Sequence, residues 1–440
     1  MILRATLRNI LSFNEETQIS FVAGKGTMHP LQVVRAKRRD DISVLKIGMV
    51  YGANASGKSN LIKAVNFLKE LVEGKNTLAE IEKFKISTQE PVSKLELEIK
   101  IGDKYFAYGV EFSRQAITEE WLYEINNRTD SLIYERETGP EGNVLRFGHL
   151  KADKAEKNFL EYLGQATPLN KTFISEYCDR NGRGLDDVEK VRNWFLSNLK
   201  IIFPDTRYNG LFISGEKDQD FQETTKQLLH HFNTGIIDIR LFPVASKEET
   251  GLPKNMIDDV IGKGKAGDRV VLASSTGDEV FFFEFNENGD YRIFKQKAVH
   301  ESEGKEILFE MNEESDGTIR LVDFIPMLID LKRNPSVYLI DELDRSMHPN
   351  MTYELLSLYL SNLSKDVDSQ LIFTTHESNL LNMELVRADE VWFVEKDKNG
   401  GSRFTSLAEY KPRADVRKGY LLGRYQAIPF FATPRSLNWK

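Results

Sequence analysis

The chain has 440 residues, of which 40% are hydrophobic and 29% are charged. These proportions are typical of a soluble globular protein, and the length is enough for two or three compact lobes. The net charge of −8 argues against a protein that coats nucleic acid, although a local basic groove is compatible with it. The single cysteine, Cys178, excludes an internal disulfide.

The first residues do not resemble a targeting signal. The opening MILRATLRNI places arginines where a signal peptide needs an apolar run, and no apolar run approaches the ~18 residues that span a bilayer. We therefore expect a cytoplasmic protein with no membrane contact.

The N-terminal segment predicts strands around one helix. ILRATLRNI and TQISFVA are predicted as two strands, followed by a basic loop with Arg35, Lys37, Arg38 and Arg39. We interpret this loop as solvated, with a phosphate or nucleic-acid contact as the alternative. SVLKIGMVY has the length of a buried strand, and SNLIKAVNFLKELVEG has helical apolar spacing that ends at Gly74, a predicted C-cap.

The rest of the chain changes pattern three times. KLELEIKI, YFAYGVEF and TEEWLYEI alternate as antiparallel strands on one edge of a sheet would. Residues 151–231 are predicted as helical, with KVRNWFLSNL the clearest amphipathic piece, and residues 236–309 as strands with a hairpin at Asn288-Gly289. The last third alternates helix and strand, which predicts a parallel sheet with crossover helices.

The stretch YGANASGKSN is predicted to bind phosphate. It matches the phosphate-binding (Walker A) pattern G-x-x-x-x-G-K-[ST], with a predicted strand before it and a helix after it. Glycines let backbone amides turn towards phosphate oxygens, the lysine reaches the β- and γ-phosphates, and the serine hydroxyl binds Mg²⁺. The predicted binding residues are Gly52, Ala53, Asn54, Ala55, Ser56, Gly57, Lys58, Ser59 and Asn60.

Two carboxylates follow the apolar strand VYLI. Asp341 ends the apolar run, where it would hold magnesium through water, and Glu342 follows, where it would polarise an attacking water. An acidic pair at a solvated strand end is the alternative, which the glycine loop makes weaker.

Two further features bear on the class of nucleoside triphosphatase (NTPase) that the sequence predicts. His376 ends the apolar run SQLIFTT, and a structural hydrogen-bonding role is its alternative. Ser315, Gly317 and Thr318 open a predicted helix and form another set of anion-facing donors, with an ordinary N-cap as the equal alternative.

The order of these motifs resembles the head of ABC-type ATPases, in the SMC/RecF-like branch. Within it the chain is most similar to the stand-alone ATPases of the RloA/AbiL anti-phage (abortive-infection) family. The resemblance rests on YGANASGKSNLIKA, NEESDGT, YLIDELDRSMHP, FTTHESNLL, DEVWFVEKD and GYLLGRYQAIPF, whereas residues 120–300 match only in general character. Ser-Asp-Gly-Thr in place of Ser-Gly-Gly-Gln argues against a transporter subunit.

The resemblance implies an α/β fold: an ABC-type ATPase head with a mixed sheet, a P-loop core, an antiparallel β-lobe and a helical insertion. The implied domains are residues 1–120 and 311–440 as the two parts of the head, with a helical and β-strand lobe at 121–310. ATP and Mg²⁺ are the implied cofactors.

The resemblance also implies roles for single residues. Ser315 and Gly317 would form the signature loop that closes over nucleotide bound to another protomer of a homodimer or higher homo-oligomer. Asp344 would be the D-loop residue and His376 the γ-phosphate switch. Gln89 would be the Q-loop glutamine at the metal, with a surface-loop role equally open.

Two functions follow from the resemblance. In the first, the ATPase is the regulatory or sensor component of a bacterial anti-phage system and controls a separate effector protein from a neighbouring gene. In the second, it is a DNA-repair or chromosome-maintenance ATPase that clamps DNA. A nucleic-acid partner therefore stays open.

Overall fold

The computed structural model describes residues 1–35, 42–75, 78–86, 92–150, 153–205, 218–274, 279–412, 415–425 and 427–428. Two compact units make up the chain. The first consists of Met1–Ile202, Asn334–Leu343 and Leu360–Lys440, and the second of Phe203–Arg333 and Asp344–Tyr359. The predicted domain boundary between residues 120 and 121 differs from this division, because it falls inside a strand of the first unit.

The strands lie in chain order as follows: β1 Ile2–Arg8, β2 Thr17–Ser20, β3 Val33–Arg35, β4 Ser43–Leu45, β5 Ile47–Gly52, β6 Ser93–Ile101, β7 Lys104–Phe112, β8 Ile117–Glu124, β9 Ser131–Gly139, β10 Gly142–Phe147, β11 Leu199–Ile202, β12 Ile236–Pro243, β13 Arg269–Ala273, β14 Val280–Phe285, β15 Tyr291–Ser302, β16 Lys305–Glu310, β17 Val337–Ile340, β18 Gln370–Thr375, β19 Val391–Lys396 and β20 Ser402–Ser406. The α-helices are α1 Lys58–Glu73, α2 Lys154–Ala166, α3 Phe173–Asp179, α4 Asp186–Asn193, α5 Gln219–His231, α6 Lys254–Lys263, α7 Asp316–Arg333, α8 Pro349–Ser361 and α9 Val416–Leu421.

A seven-stranded antiparallel sheet in the first unit has the order β10-β9-β8-β7-β6-β1-β2. Its strands alternate between buried and half-buried residues, as in SKLELEIKI of β6, because one face covers the core. The predicted antiparallel strands of residues 94–125 are present. They belong to this sheet together with β1 and β2.

A six-stranded sheet in the same unit has the order β11-β17-β18-β5-β19-β20. All neighbours in it are parallel except β19 and β20. Strands β5, β17 and β18 are buried along their whole length, which explains their continuous apolar runs.

Two sequence predictions for this sheet need correction. Leu199–Ile202 was expected within a helical region, but it is β11 and pairs in parallel with β17. The predicted helix over KVRNWFLSNL ends at Asn193, and a π-helical turn, Trp194–Asn198, leads into that strand. The strand edge supplied by β17 overrides the helical periodicity of this segment.

The second unit contains a five-stranded antiparallel sheet in the order β12-β15-β14-β13, with β16 also paired to β15. The predicted hairpin joins β14 to β15, and Gly289 in its turn has φ +84°. Helix α6 is a correction, since it lies in the segment predicted as strands. One core joins α5, the sheet and α7, through Phe221, Leu229, Ile236, Ala298, Val322, Ile325 and Ile329.

The predicted α/β fold class is confirmed: the chain has a mixed sheet with a parallel core and separate antiparallel sheets. The segment predicted as the insertion contains both helices and a sheet. Among the described residues, no helix combines the length and apolarity needed to cross a membrane.

Candidate functional site

The glycine loop, residues 52–59, connects β5 to α1 at the carboxyl edge of the parallel sheet. Gly57 has φ +116°, a conformation that residues with a side chain rarely adopt. A Cβ at Gly57 would lie 2.3 Å from Ser402 Oγ, and one at Gly52 would lie 2.6 Å from the carbonyl oxygen of Val394. At both ends of the loop, a side chain in place of the glycine would clash with neighbouring atoms, which gives the predicted glycine pattern a steric cause.

The other loop residues divide by exposure. Asn54 and Ala55 are exposed, Ser56 is buried, and Ala53 and Asn60 are half-buried. Ala55 also has a left-handed backbone, with φ +61°. The exposed tip followed by the buried start of α1 is the arrangement in which loop amides can reach an anion at a helix N-terminus.

Lys58 opens α1 and is buried. Its ammonium group donates to the carbonyl oxygens of Gly52, at 2.8 Å, and of Ala53, at 3.2 Å. These contacts hold a cation directly against the glycine loop.

A chain of hydrogen bonds joins α1, β17 and β18 at the same edge of the sheet. The Ser59 hydroxyl donates to Asp341 Oδ1 at 3.0 Å, and the Thr374 hydroxyl donates to the same oxygen at 2.7 Å. Thr374 Oγ1 in turn accepts from the amide of Glu342 at 2.8 Å. The structure therefore brings together the predicted residues Ser59, Asp341 and Glu342, across 282 positions of sequence between the first two.

The oxygen atoms of Ser59 and Asp341 in this hydrogen-bond network are of the kind that Mg²⁺ prefers as ligands. Mg²⁺ in phosphate sites takes oxygen ligands from one or two carboxylates or hydroxyls, with phosphate and water completing its octahedron. Asp341 is buried and Ser59 is half-buried, so an ion here would meet one carboxylate and one hydroxyl.

Glu342 and His376 lie just beyond the ends of β17 and β18. Glu342 is half-buried and has φ +54°, a left-handed conformation that is uncommon for a residue with a side chain and that clusters at functional sites. His376 is exposed. Both follow the carboxyl ends of adjacent parallel strands, where α/β sheets place their ligands.

Three residues of the site escaped sequence reasoning. The Ser402 hydroxyl lies 2.8 Å from that of Ser12 and 2.5 Å from the carbonyl oxygen of Ser56, so it braces the glycine loop from β20. The third residue that the sequence analysis did not identify is Thr374, whose hydroxyl donates to Asp341. The two bracing serines are 390 positions apart, and no local pattern connects them. For Thr374 the signal was its place two residues before His376.

The predicted signature residues lie in the second unit. Ser315 is exposed, and its hydroxyl accepts from the amide of Thr318 at 3.1 Å, which is the hydrogen bond of an N-cap on α7. A Cβ at Gly317 would lie 2.7 Å from the carbonyl oxygen of Ser346. Glycine is thus required where α7 approaches the turn that starts at the half-buried Asp344, whose carbonyl accepts from Met347.

The insertion sheet contacts the residue before the signature. Glu314 Oε1 lies 2.5 Å from His300 Nε2 on β15, and the ring of Phe309 packs on His300 with centroids 4.5 Å apart. His300 was not identified from sequence.

Some predicted residues lie outside the described part of the chain. These are Gln89 and, from the basic cluster, Lys37, Arg38 and Arg39. Arg35, at the end of β3, is described and exposed.

A protein-family model matches residues 48–382, and its description is "AAA domain, putative AbiEii toxin, Type IV TA system". The match extends from β5 to the segment after His376. It therefore includes the glycine loop, the acidic strand end and the signature. No curated protein matches the chain at a significant level.

Solved SMC head structures also match. One is an SmcHead bound to the C-winged helix domain of ScpA, with 13% identity, a TM-score of 0.42, and coverage of 93% of this chain and 99% of that one. The SMC head domain from Thermotoga maritima has 14% identity, a TM-score of 0.39, and coverage of 92% and 98%. A third is an Smc head domain with an extended coiled coil, bound to the C-terminal domain of ScpA derived from Pyrococcus furiosus. It has 11% identity, a TM-score of 0.41, and coverage of 97% of this chain and 99% of that one.

Proposed function

The chain belongs to the family of AAA domains described as "putative AbiEii toxin, Type IV TA system", and from this premise we propose that it binds ATP with Mg²⁺ at the glycine loop and hydrolyses it. The observation that carries the proposal is the bonded chain of Ser59, Asp341, Thr374 and the Glu342 amide, beside the ammonium group of Lys58. A structural turn needs neither the cation nor the buried carboxylate.

The mechanism assigns each side chain one task. Lys58 exchanges its carbonyl contacts for the β- and γ-phosphate oxygens, and the loop amides bind the same groups. Ser59 and Asp341 hold the Mg²⁺, which supplies neutralisation of phosphate charge when it is bound. Glu342, aimed by its left-handed backbone, orients the attacking water for in-line displacement. His376 stabilises the charge of the transferred phosphoryl group.

The second unit supplies the signature group, which we assign to nucleotide bound by a second copy of the chain. Ser315 is exposed and caps α7, so an anion can approach the positive N-terminal end of this helix. Gly317 lets α7 approach the Asp344 turn closely. The proposed active form is a homodimer, or a higher homo-oligomer, with ATP between the copies.

The biological role that we propose is the regulatory or sensor component of a cytoplasmic anti-phage system of the RloA/AbiL type. The family description as a putative toxin of a Type IV TA system supports a two-component arrangement. A separate effector protein from a neighbouring gene would be the second component. The alternative is a DNA-repair or chromosome-maintenance ATPase whose closed dimer clamps DNA.

The Glu342→Gln variant tests the proposal. We expect ATP hydrolysis to fall at least about 100-fold, because a positioned general base contributes on that order or more, while ATP affinity stays unchanged. The variant should accumulate as a dimer in ATP and Mg²⁺, measured by light scattering. Glu384→Gln, at an exposed carboxylate of the same unit, is the matched control and should behave as wild type.

Hydrolysis at the wild-type rate by Glu342→Gln would remove the catalytic assignment. The same variant, purified with ATP from its native locus, separates the two roles. A co-purifying protein from the neighbouring gene supports the two-component system, whereas stoichiometric DNA without that protein supports the DNA clamp.

A further inference from the structure

A large open cavity lies in the first unit, at the opposite edge of the parallel sheet from the glycine loop. Its volume is about 1110 Å³. Lys46, which precedes β5, and the loop of residues 365–368, which precedes β18, form part of its wall. Since a six-residue strand spans about 20 Å, this cavity is separate from the candidate ATP site.

Three of the cations that line the cavity already have partners. Lys46 donates to the carbonyl oxygens of Ser364, at 2.5 Å, and Val367, at 2.6 Å, and burial lowers its pKa. Lys100 forms an ion pair with Asp368. Lys104 lies 3.0 Å from Glu124. These three ammonium groups are therefore held by partners within the chain, and a ligand would have to compete with those partners for them.

The mouth of the cavity is different. Arg35 from β3, Arg128 from the turn between β8 and β9, and Lys365 from the loop after α8 all line it, and all three are exposed. Within the described ranges no carboxylate forms an ion pair with any of them. Three segments far apart in sequence therefore bring cations to one opening. The exposed carboxylates of Asp103 and Asp366 line the same cavity, and with Glu124 and Asp368 they make four carboxylates against six cations in its wall, an excess of two positive charges in a chain whose net charge is −8.

The remaining lining indicates the class of ligand. Val33, Val34 and Ile125 offer half-buried apolar surface, and Asn126 and Asn127 offer exposed amides with donors and acceptors. Phosphates at a basic mouth, flat bases against apolar side chains and base edges near amides are the contacts of unpaired nucleotides. A duplex hides its base faces, so the apolar lining favours unpaired bases.

We propose that this cavity binds a short single strand of nucleic acid, through its phosphates at Arg35, Arg128 and Lys365. This inference goes beyond the proposed ATP hydrolysis and does not depend on it. It gives the molecule a second ligand site, through which a nucleic-acid signal could reach the same parallel sheet that carries the glycine loop.

The test measures fluorescence anisotropy of a labelled 12-nucleotide oligo-dT with the full chain and with the triple variant Arg35→Ala/Arg128→Ala/Lys365→Ala. We expect wild type to bind at low salt. The triple variant should bind at least about tenfold more weakly, and its slope of log affinity against log salt should be smaller by about 2, because each phosphate contact on a single strand contributes about 0.7.

The matched control is Lys154→Ala/Lys157→Ala, which removes two exposed cations from α2 in the same unit. It should keep wild-type affinity for the oligonucleotide. ATP affinity should be unchanged in both variants, which separates failure of this proposal from failure of the proposed function.

Two results of the binding measurement would overturn the proposal: no oligonucleotide binding by wild type at low salt, or an equal loss of affinity in the triple variant and in the control. Two results of competition would also overturn it: pyrophosphate that competes as strongly as unlabelled oligo-dT, or a polyglutamate peptide that competes more strongly than oligo-dT. Pyrophosphate competition would indicate a small phosphate ligand. Polyglutamate competition would indicate an acidic polypeptide. A melting temperature of the triple variant within a few degrees of wild type shows that it folds.

Discussion

The glycine-loop group of the first unit and the signature group of the second unit differ in how complete they are. In the first, Lys58 and Asp341 are buried, and the hydroxyls of Ser59 and Thr374 already bond to the carboxylate. In the second, Ser315 is exposed, and its hydroxyl bonds to the amide and the hydroxyl of Thr318 at the start of α7. One group is preorganised for a ligand, and the other presents donors at a surface.

This difference indicates which part of ATP binding and hydrolysis each group performs in the proposed mechanism. Preorganised and desolvated groups bind tightly and position a reaction, because no reorganisation is needed when the ligand arrives. Donors exposed to water interact strongly with an anion only when another protein surface excludes water from them. The predicted consequence is that the first group binds the nucleotide and carries the chemical step, whereas the second controls when that step occurs through contact with another copy.

The largest expected effect comes from mixing two inactive variants. Lys58→Ala should lose nucleotide binding by about 100-fold or more, since it removes charged hydrogen bonds worth about 1.5–3 kcal/mol each. Ser315→Arg should bind ATP but not hydrolyse it. If each site joins the glycine loop of one copy to the signature of another, random mixing restores about a quarter of the wild-type rate, because half of the dimers are mixed and each has one intact site.

The control for this mixture is Lys58→Ala with Glu342→Gln. Both changes lie in the first unit, so neither mixed site is intact and hydrolysis should stay at the background. If hydrolysis does not recover in the first mixture, or if it recovers in the second, the glycine loop of one copy and the signature of another do not form a shared site. Steady-state phosphate release is the measurement in each case.

The second prediction concerns the fit of the glycine loop. Gly57→Ala should destabilise the protein by about 2–4 kcal/mol, because a left-handed alanine costs about 1 kcal/mol or more and the new Cβ overlaps the hydroxyls of Ser402 and Ser12, at 2.3 and 2.6 Å. Gly102→Ala is the matched control: it also has positive φ, +57°, but no atom lies within 4 Å of the new Cβ.

Thermal unfolding of the two alanine variants separates backbone strain from crowding. The control should show only the strain component, and the difference between the variants measures how tightly the loop is packed. Equal melting temperatures would mean that the loop relaxes freely, and the first group would then not be preorganised.

The sequence predicted the local parts of this arrangement and missed the distant ones. Strand, loop and helix around Lys58 are contiguous, so their apolar periodicity and glycine spacing suffice to predict them. The same holds for Ser315 at the start of α7 and for Gly74, whose φ of +87° confirms the predicted C-cap. In each case the sequence pattern that makes the prediction lies within a few neighbouring residues.

The missed features depend on contacts that close only in the folded chain. β11 has helical neighbours in sequence and becomes a strand because β17 offers an edge. Ser12 and Ser402 are ordinary loop and strand residues until the fold brings them together behind the glycine loop. The pairing of His300 with Glu314 likewise requires the insertion sheet.

The smallest expected effect belongs to Ser402→Ala. Its hydroxyl donates to the carbonyl of Ser56, so its loss loosens the loop without removing any group that touches phosphate. A single neutral hydrogen bond contributes about 0.5–1.5 kcal/mol, which corresponds to a rise of roughly two- to tenfold in KM for ATP. The value of kcat should not change, because Glu342 and His376 are unaffected.

Ser402→Thr and Ser406→Ala sharpen this last test. Threonine keeps the hydroxyl and should restore KM, whereas alanine at Ser406, which caps the turn after the same strand, should lower stability without changing KM. A fall in kcat with unchanged KM in Ser402→Ala would place Ser402 in catalysis instead. That result would extend the preorganised group of the first unit to β20, and the bracing of the loop would then be part of the chemical step.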